Sequence, residues 1–99
     1  MVSRQEIVLH ITSGASDDWQ LALRNILNLY EDESLSTAPE TITVVVNGPA
    51  TRFLLSSAPD AEKVRQMTRA GVQVSACGNS LERYGYTAED LTAGVSVVD

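Results

Sequence analysis

One cysteine, Cys77, and one histidine, His10, are the only thiol and imidazole in this chain. A lone thiol forms no disulfide within its own chain, so the fold does not depend on an oxidising compartment. One thiol and one imidazole also fall short of a closed tetrahedral metal site, and neither a metal nor another cofactor is expected. Lysine is almost missing, with Lys63 alone against six arginines, and 13 acidic residues against 7 basic ones leave a formal net charge of −6. Nucleic acids and anionic membranes require clustered cations, so neither is an expected partner. There is no basic region followed by a long apolar stretch, and Met1-Val2-Ser3-Arg4-Gln5-Glu6 lead directly into a strand-like run. Neither a signal peptide nor a membrane span is expected, which makes a cytoplasmic location the default.

What is present is an ordinary globular composition. Apolar residues make up 43% of 99 residues, enough for one small domain and too many for a disordered chain. Small domains bury a modest share of their surface, so association with further copies of the chain is expected to add to it. The preference for arginine over lysine suits anion recognition, because the guanidinium fork bonds two oxygens at once, but codon or lineage bias is the favoured explanation.

Along the chain, strand-like and helix-like segments alternate. Residues 6–12 are rich in β-branched and aliphatic side chains and predict a strand buried on both faces. Ser13-Gly14-Ala15-Ser16 turns the chain, Ser16 or Asp17 caps a helix, and Leu21, Leu23, Ile26, Leu27, Leu29 and Tyr30 follow helical spacing to about Glu31. Residues 41–46 form a second strand that stops at Asn47-Gly48-Pro49, with a short helical turn expected over 50–55. A helix from Pro59 carries Ala61, Val64, Met67 and Thr68 on one side and ends at Gly71 as a left-handed cap. Residues 72–76 form the third strand, and a brief helix over 80–83 ends near Gly85. Thr87 and Asp90 make a near capping box for another helix, and residues 94–98 form the last strand. Strand–helix alternation of this kind predicts an α/β fold with a parallel sheet, because parallel neighbours need crossover connections.

In such sheets, ligands bind beyond the carboxyl ends of the strands. Three of those ends are Thr12-Ser13-Gly14, Asn47-Gly48-Pro49 and Cys77-Gly78-Asn79-Ser80, all small and polar. A thiol at Cys77, just before a helix capped by Asn79 or Ser80, has its thiolate favoured by backbone N–H groups, and is either a reactive group or a small buried hydrophobe. His10 is either a base facing the same pocket or a packed histidine with one hydrogen bond. Asn47 and Gly48 either present backbone groups to a ligand or form a tight turn. Arg52 either neutralises an anion or a thiolate, or is solvated. The Ser13–Ser16 loop lacks both the Lys-Ser/Thr ending of a P-loop and the three-glycine dinucleotide pattern. Trp19, Tyr30 and Phe53 read as packing residues.

Three segments resemble the DsrE/DsrF-like (YchN-like) superfamily, and its small DsrE-family branch in particular. They are Trp19 to Tyr30 with Leu23, Asn25 and Asn28; Thr43 to Leu54 with Val44-Val45-Val46-Asn47-Gly48; and Gly71 to Leu81 with Ala76-Cys77-Gly78-Asn79-Ser80-Leu81. The likeness continues through Asp90-Leu91 and Gly94-Val95-Ser96-Val97-Val98. The resemblance implies a three-layer α/β/α flavodoxin-like sandwich with a mainly parallel sheet of four to five strands. It also implies assembly into trimers or hexamers, with pockets near subunit boundaries. In sulfur-relay members a cysteine carries persulfide sulfur between partner proteins, which makes Cys77 the corresponding candidate here. His10, Asn47, Gly48, Arg52, Gly78, Asn79 and Ser80 are then the surrounding ligand-binding candidates. The local sequence of those members differs, and relatives usually continue past the last strand, so a sheet edge is expected to be exposed. Two other functions compete with sulfur relay through donor and acceptor proteins: a non-catalytic oligomer that binds a small ligand or protein, and a structural subunit with an inert Cys77.

Overall fold

The computed structural model describes residues 6–32 and 37–98. Four strands, β1 (Ile7–Ile11), β2 (Ile42–Val46), β3 (Gln73–Cys77) and β4 (Ser96–Val98), alternate with three helices, α1 (Ser16–Glu31), α2 (Ala61–Ala70) and α3 (Gly78–Tyr84). Short 3₁₀ turns at Pro39–Thr41, Gly48–Leu54 and Ala88–Asp90 fill the connections. The strands lie in the order β1-β2-β3-β4 and every pair is parallel. The α/β class and the four parallel strands are those the alternation predicts.

Helix boundaries follow from local chemistry. In α1 the buried residues Trp19, Leu23 and Ile26 recur every three to four positions, whereas Leu21 falls between those rows and points outward. Its cap is Ala15 rather than Ser16 or Asp17. No side chain caps its first turn; the Ser13 hydroxyl, outside the helix, accepts from the Ala15 N–H at 3.2 Å and donates to Asp18 at 2.6 Å. Helix α2 starts at Ala61, two residues after Pro59, with Asp60 as its cap. The Asp60 side chain makes no capping hydrogen bond to its own helix, although Lys63 of α2 lies 3.9 Å from its Oδ1. The other oxygen accepts from Trp19 Nε1 at 3.2 Å and from Gln20 at 2.6 Å, which fastens α2 to α1. Gly71 ends α2 in the left-handed region, as expected. The Thr87–Asp90 pair forms its capping box, with the Thr87 N–H donating to the carboxylate at 2.8 Å, but it closes one 3₁₀ turn instead of a longer helix. Helix α3 begins at Gly78, two residues earlier than the expected start at Ser80.

The core lies on one face of the sheet. In a parallel register, paired residues project to the same side. Ile42 lies beside Ile7, Leu9 beside Val44 and Val74, and Ile11 beside Val46 and Ala76. Those rows pack on Trp19, Leu23, Ile26, Leu54, Val64, Met67 and Leu81. Each such side chain, fully buried, contributes about 1.5–3 kcal/mol of transfer free energy.

The opposite rows are Val8–Thr43–Gln73, His10–Val45–Ser75–Ser96 and Cys77–Val98. None of these residues is buried, and Val8 is 67% exposed. Strand β1, expected to be buried on both faces, is therefore buried on one. Topology explains the asymmetry. With strands added in sequence along one direction, right-handed crossovers place every connection on the same side of the sheet. The second helical layer implied by the resemblance is thus not supplied by the described residues, and the face that bears Cys77 stays open.

Candidate functional site

Because β1, β2 and β3 are parallel, their carboxyl ends meet at one rim, and the three loops touch. The Asn47 N–H donates to the Ile11 carbonyl at 3.0 Å, extending the β1–β2 ladder into the loop. Gly14 lies so close to Pro49 that a Cβ added there would come within 2.8 Å of the proline Cβ, which requires glycine. Arg52 donates to the Gly14 carbonyl at 2.5 Å. Gly48 turns the chain with φ of 61°, and its N–H donates to the Ser80 hydroxyl at 2.8 Å. That bond joins the loop after β2 to the first turn of α3.

Cys77 is the last residue of β3 and stands immediately before α3. It is half-buried and belongs to the open-face row that ends at Val98. The alternative of a fully buried thiol does not hold, because the buried residues on this strand are Val74 and Ala76. Since Val46 pairs with Ala76, Asn47 comes opposite Cys77, about 5 Å away between backbones. The Asn47 Oδ1 atom is buried and has no hydrogen-bond donor among the described residues. An orphaned acceptor beside a thiol is a place for a donor to bind, since leaving such a group unpaired costs about 1–3 kcal/mol.

Of the remaining candidates, Gly78, Asn79 and Ser80 form the first turn of α3, with Asn79 exposed. Gly48 and Ser80 are joined directly, as above. His10 is exposed on the same open face as Cys77 but lies two strands across and two residues back. That offset is about 12 Å between backbones, too far for direct proton exchange. Arg52 bonds Gly14 and lies over the Phe53 ring at 4.6 Å, while Phe53 stacks on Trp19 at 4.9 Å. This arginine fastens the rim to the aromatic pair, and the aromatic residues pack as expected. No three His, Cys, Asp or Glu side chains among the described residues stand close enough to hold a metal ion.

Two features of the site were not anticipated from the sequence: the Ser80 hydroxyl as the acceptor for Gly48, and the open face on which Cys77 lies. The second has a sequence signal. Gln73, Ser75 and Cys77 alternate with Val72, Val74 and Ala76, a period-two pattern that describes a strand with one solvated face.

Residues 7–99 match the DsrE/DsrF-like family. The chain belongs to that family. A solved structure, described as a protein of unknown function, MTH1491, from Methanobacterium thermoautotrophicum, superposes with a TM-score of 0.84 at 29% identity. The alignment covers 96% of this chain and 82% of that one. No curated protein matches. Membership of the DsrE/DsrF-like family suggests a sulfur-related role, and no helix among the described residues is long and apolar enough to cross a membrane.

Proposed function

We propose that this family member carries sulfur on Cys77 as a persulfide and relays it between donor and acceptor proteins. The observation that supports the reading most is the position of the thiol, half-buried on an uncovered sheet face and beside a polar rim. In the loading step, the Cys77 sulfur attacks the outer sulfur of a donor persulfide, R–S–SH. A new S–S bond forms to Cys77 as the donor's own S–S bond breaks. The donor leaves as R–SH, taking the proton that Cys77 gives up, so no external oxidant or reductant is needed. Delivery to an acceptor thiol is the same exchange in the other direction. The orphaned Asn47 Oδ1 offers an acceptor for the persulfide S–H, and the Gly48–Ser80 bond holds the loop that carries Asn47. An exchangeable persulfide fits a reducing compartment, hence a cytoplasmic location.

The open face also supports self-association into a trimer or hexamer. On that face Val8 is 67% exposed and Val98, on the edge strand, 41% exposed. Light scattering of the purified protein checks that part of the reading.

The sulfur reading is tested by incubating the protein with a low-molecular-weight persulfide and recording intact mass. Wild type should gain the mass of one sulfur atom, lost again on reduction, and Cys77→Ser should gain nothing. No adduct on wild type, or an equal gain on Cys77→Ser, would refute the assignment. A Cys77→Ser protein that still binds a partner, alongside an unmodified wild type, would identify a non-catalytic binding module.

A further inference from the structure

Away from the rim, an open cavity of about 510 Å³ lies between the last turns of α2 and the start of β4. That is within the range of small-ligand sites. It stands at the amino end of β3, whereas Cys77 is at the other end, four residues or about 13 Å along the strand. The β3–β4 ladder begins only at Ser75–Ser96, so the edge of β3 at Gln73 and Val74 faces the cavity instead of a neighbouring strand.

Its charge runs against the rest of the chain. The chain has a net charge of −6, yet the lining includes Arg65 and Arg69 and no Asp or Glu. The two arginines are four residues apart on α2 and therefore occupy one helix face, where like charges disfavour each other until an anion is shared. Arg69 makes no ion pair with any described residue. Arg65 is paired on its outer edge with Glu62, but its Nε is buried with no acceptor. Gln73, Ser75 and Ser96 line the same space along the sheet edge.

We propose that this cavity binds a small phosphomonoester, with the phosphate held between Arg65 and Arg69. Two guanidinium forks supply a double positive charge and paired donors that suit a near-dianionic phosphate better than a single carboxylate. The remaining volume accommodates a small organic portion. Glu62 competes with the ligand for Arg65.

Titrating the isotopically labelled full chain with glycerol 3-phosphate, inorganic phosphate and glycerol, at constant ionic strength, tests the assignment by amide NMR. Saturable shifts are expected at residues 65–75 and 93–96 with glycerol 3-phosphate. Inorganic phosphate should bind the same residues more weakly, and glycerol should do nothing. Arg69→Gln, a change at an exposed position, should weaken binding by about tenfold or more. Glu62→Gln should tighten it by releasing Arg65. Equal affinity for both phosphates would restrict the site to an inorganic anion and overturn the phosphomonoester. Absence of saturable shifts at millimolar ligand, shifts centred elsewhere, or affinity unchanged in Arg69→Gln would overturn the site altogether.

Discussion

Replacing Ser80 with alanine removes one hydroxyl and isolates the contact that joins two loops of the rim. Ser80 Oγ is the acceptor for the Gly48 N–H at 2.8 Å in a partly buried setting, and Gly48 itself is held at φ of 61°. The substitution leaves no methyl-sized void, so the cost comes from the bond alone. A neutral hydrogen bond contributes about 0.5–1.5 kcal/mol net, and leaving its donor unsatisfied raises the loss towards 1–3 kcal/mol. We expect about 1–2 kcal/mol for Ser80→Ala. With a urea dependence of about 1.5 kcal/mol per molar, the midpoint falls by about 1 M. Asn79→Ala, one residue away and exposed, is the control and should stay within about 0.5 kcal/mol of wild type. Measurements at one protein concentration keep any contribution from assembly fixed. Hydrogen exchange gives a local readout, because the Gly48 amide should lose protection in Ser80→Ala while amides in β2 keep theirs. A Ser80→Ala midpoint equal to that of Asn79→Ala, with Gly48 still protected, would show that Ser80 does not hold the rim.

Other consequences can be checked in the same preparations. Leu54 is fully buried beneath the sheet, so Leu54→Ala should cost about 2–5 kcal/mol in the same urea assay. Gly94 has φ of 94°, and a Cβ there would fall on the Thr68 hydroxyl, so Gly94→Ala should lower stability by about 2 kcal/mol or more. Burial, followed by the neighbouring Glu31 carboxylate, raises the Tyr30 phenol above its ordinary value of 10.0. Folding thus favours the neutral phenol. Its stabilising contribution is complete below the unfolded value and lost as pH rises through the raised one. Ultraviolet titration should show a late-ionising tyrosine that is absent from Tyr30→Phe.

The order of elements was legible because each carries its own signal. The β-branched run from Ile42 to Val46, the periodic apolar residues of α1 and the glycine at Gly71 all correspond to observed features. Caps were less legible, since they depend on partners distant in sequence. Asp60 is chemically able to cap α2, but Trp19 and Gln20, some 40 residues earlier, take its carboxylate. The layering was hidden for a similar reason. Ile7-Val8-Leu9-His10-Ile11 has the aliphatic content of a strand buried on both faces, yet strand order decides which face the helices cover. The rim was legible from topology alone, because parallel strands ending in small polar loops must bring those loops together. Its internal bonds were not, since nothing in a linear sequence pairs Gly48 with Ser80 or separates His10 from Cys77.

Sulfur relay on Cys77 requires its sulfur to be reachable in the folded protein. Alkylation with iodoacetamide under native conditions, followed by intact mass, measures this directly. One adduct on wild type and none on Cys77→Ser is the predicted outcome. A wild-type protein that stays unmodified until denaturant unfolds it would contradict sulfur relay on Cys77.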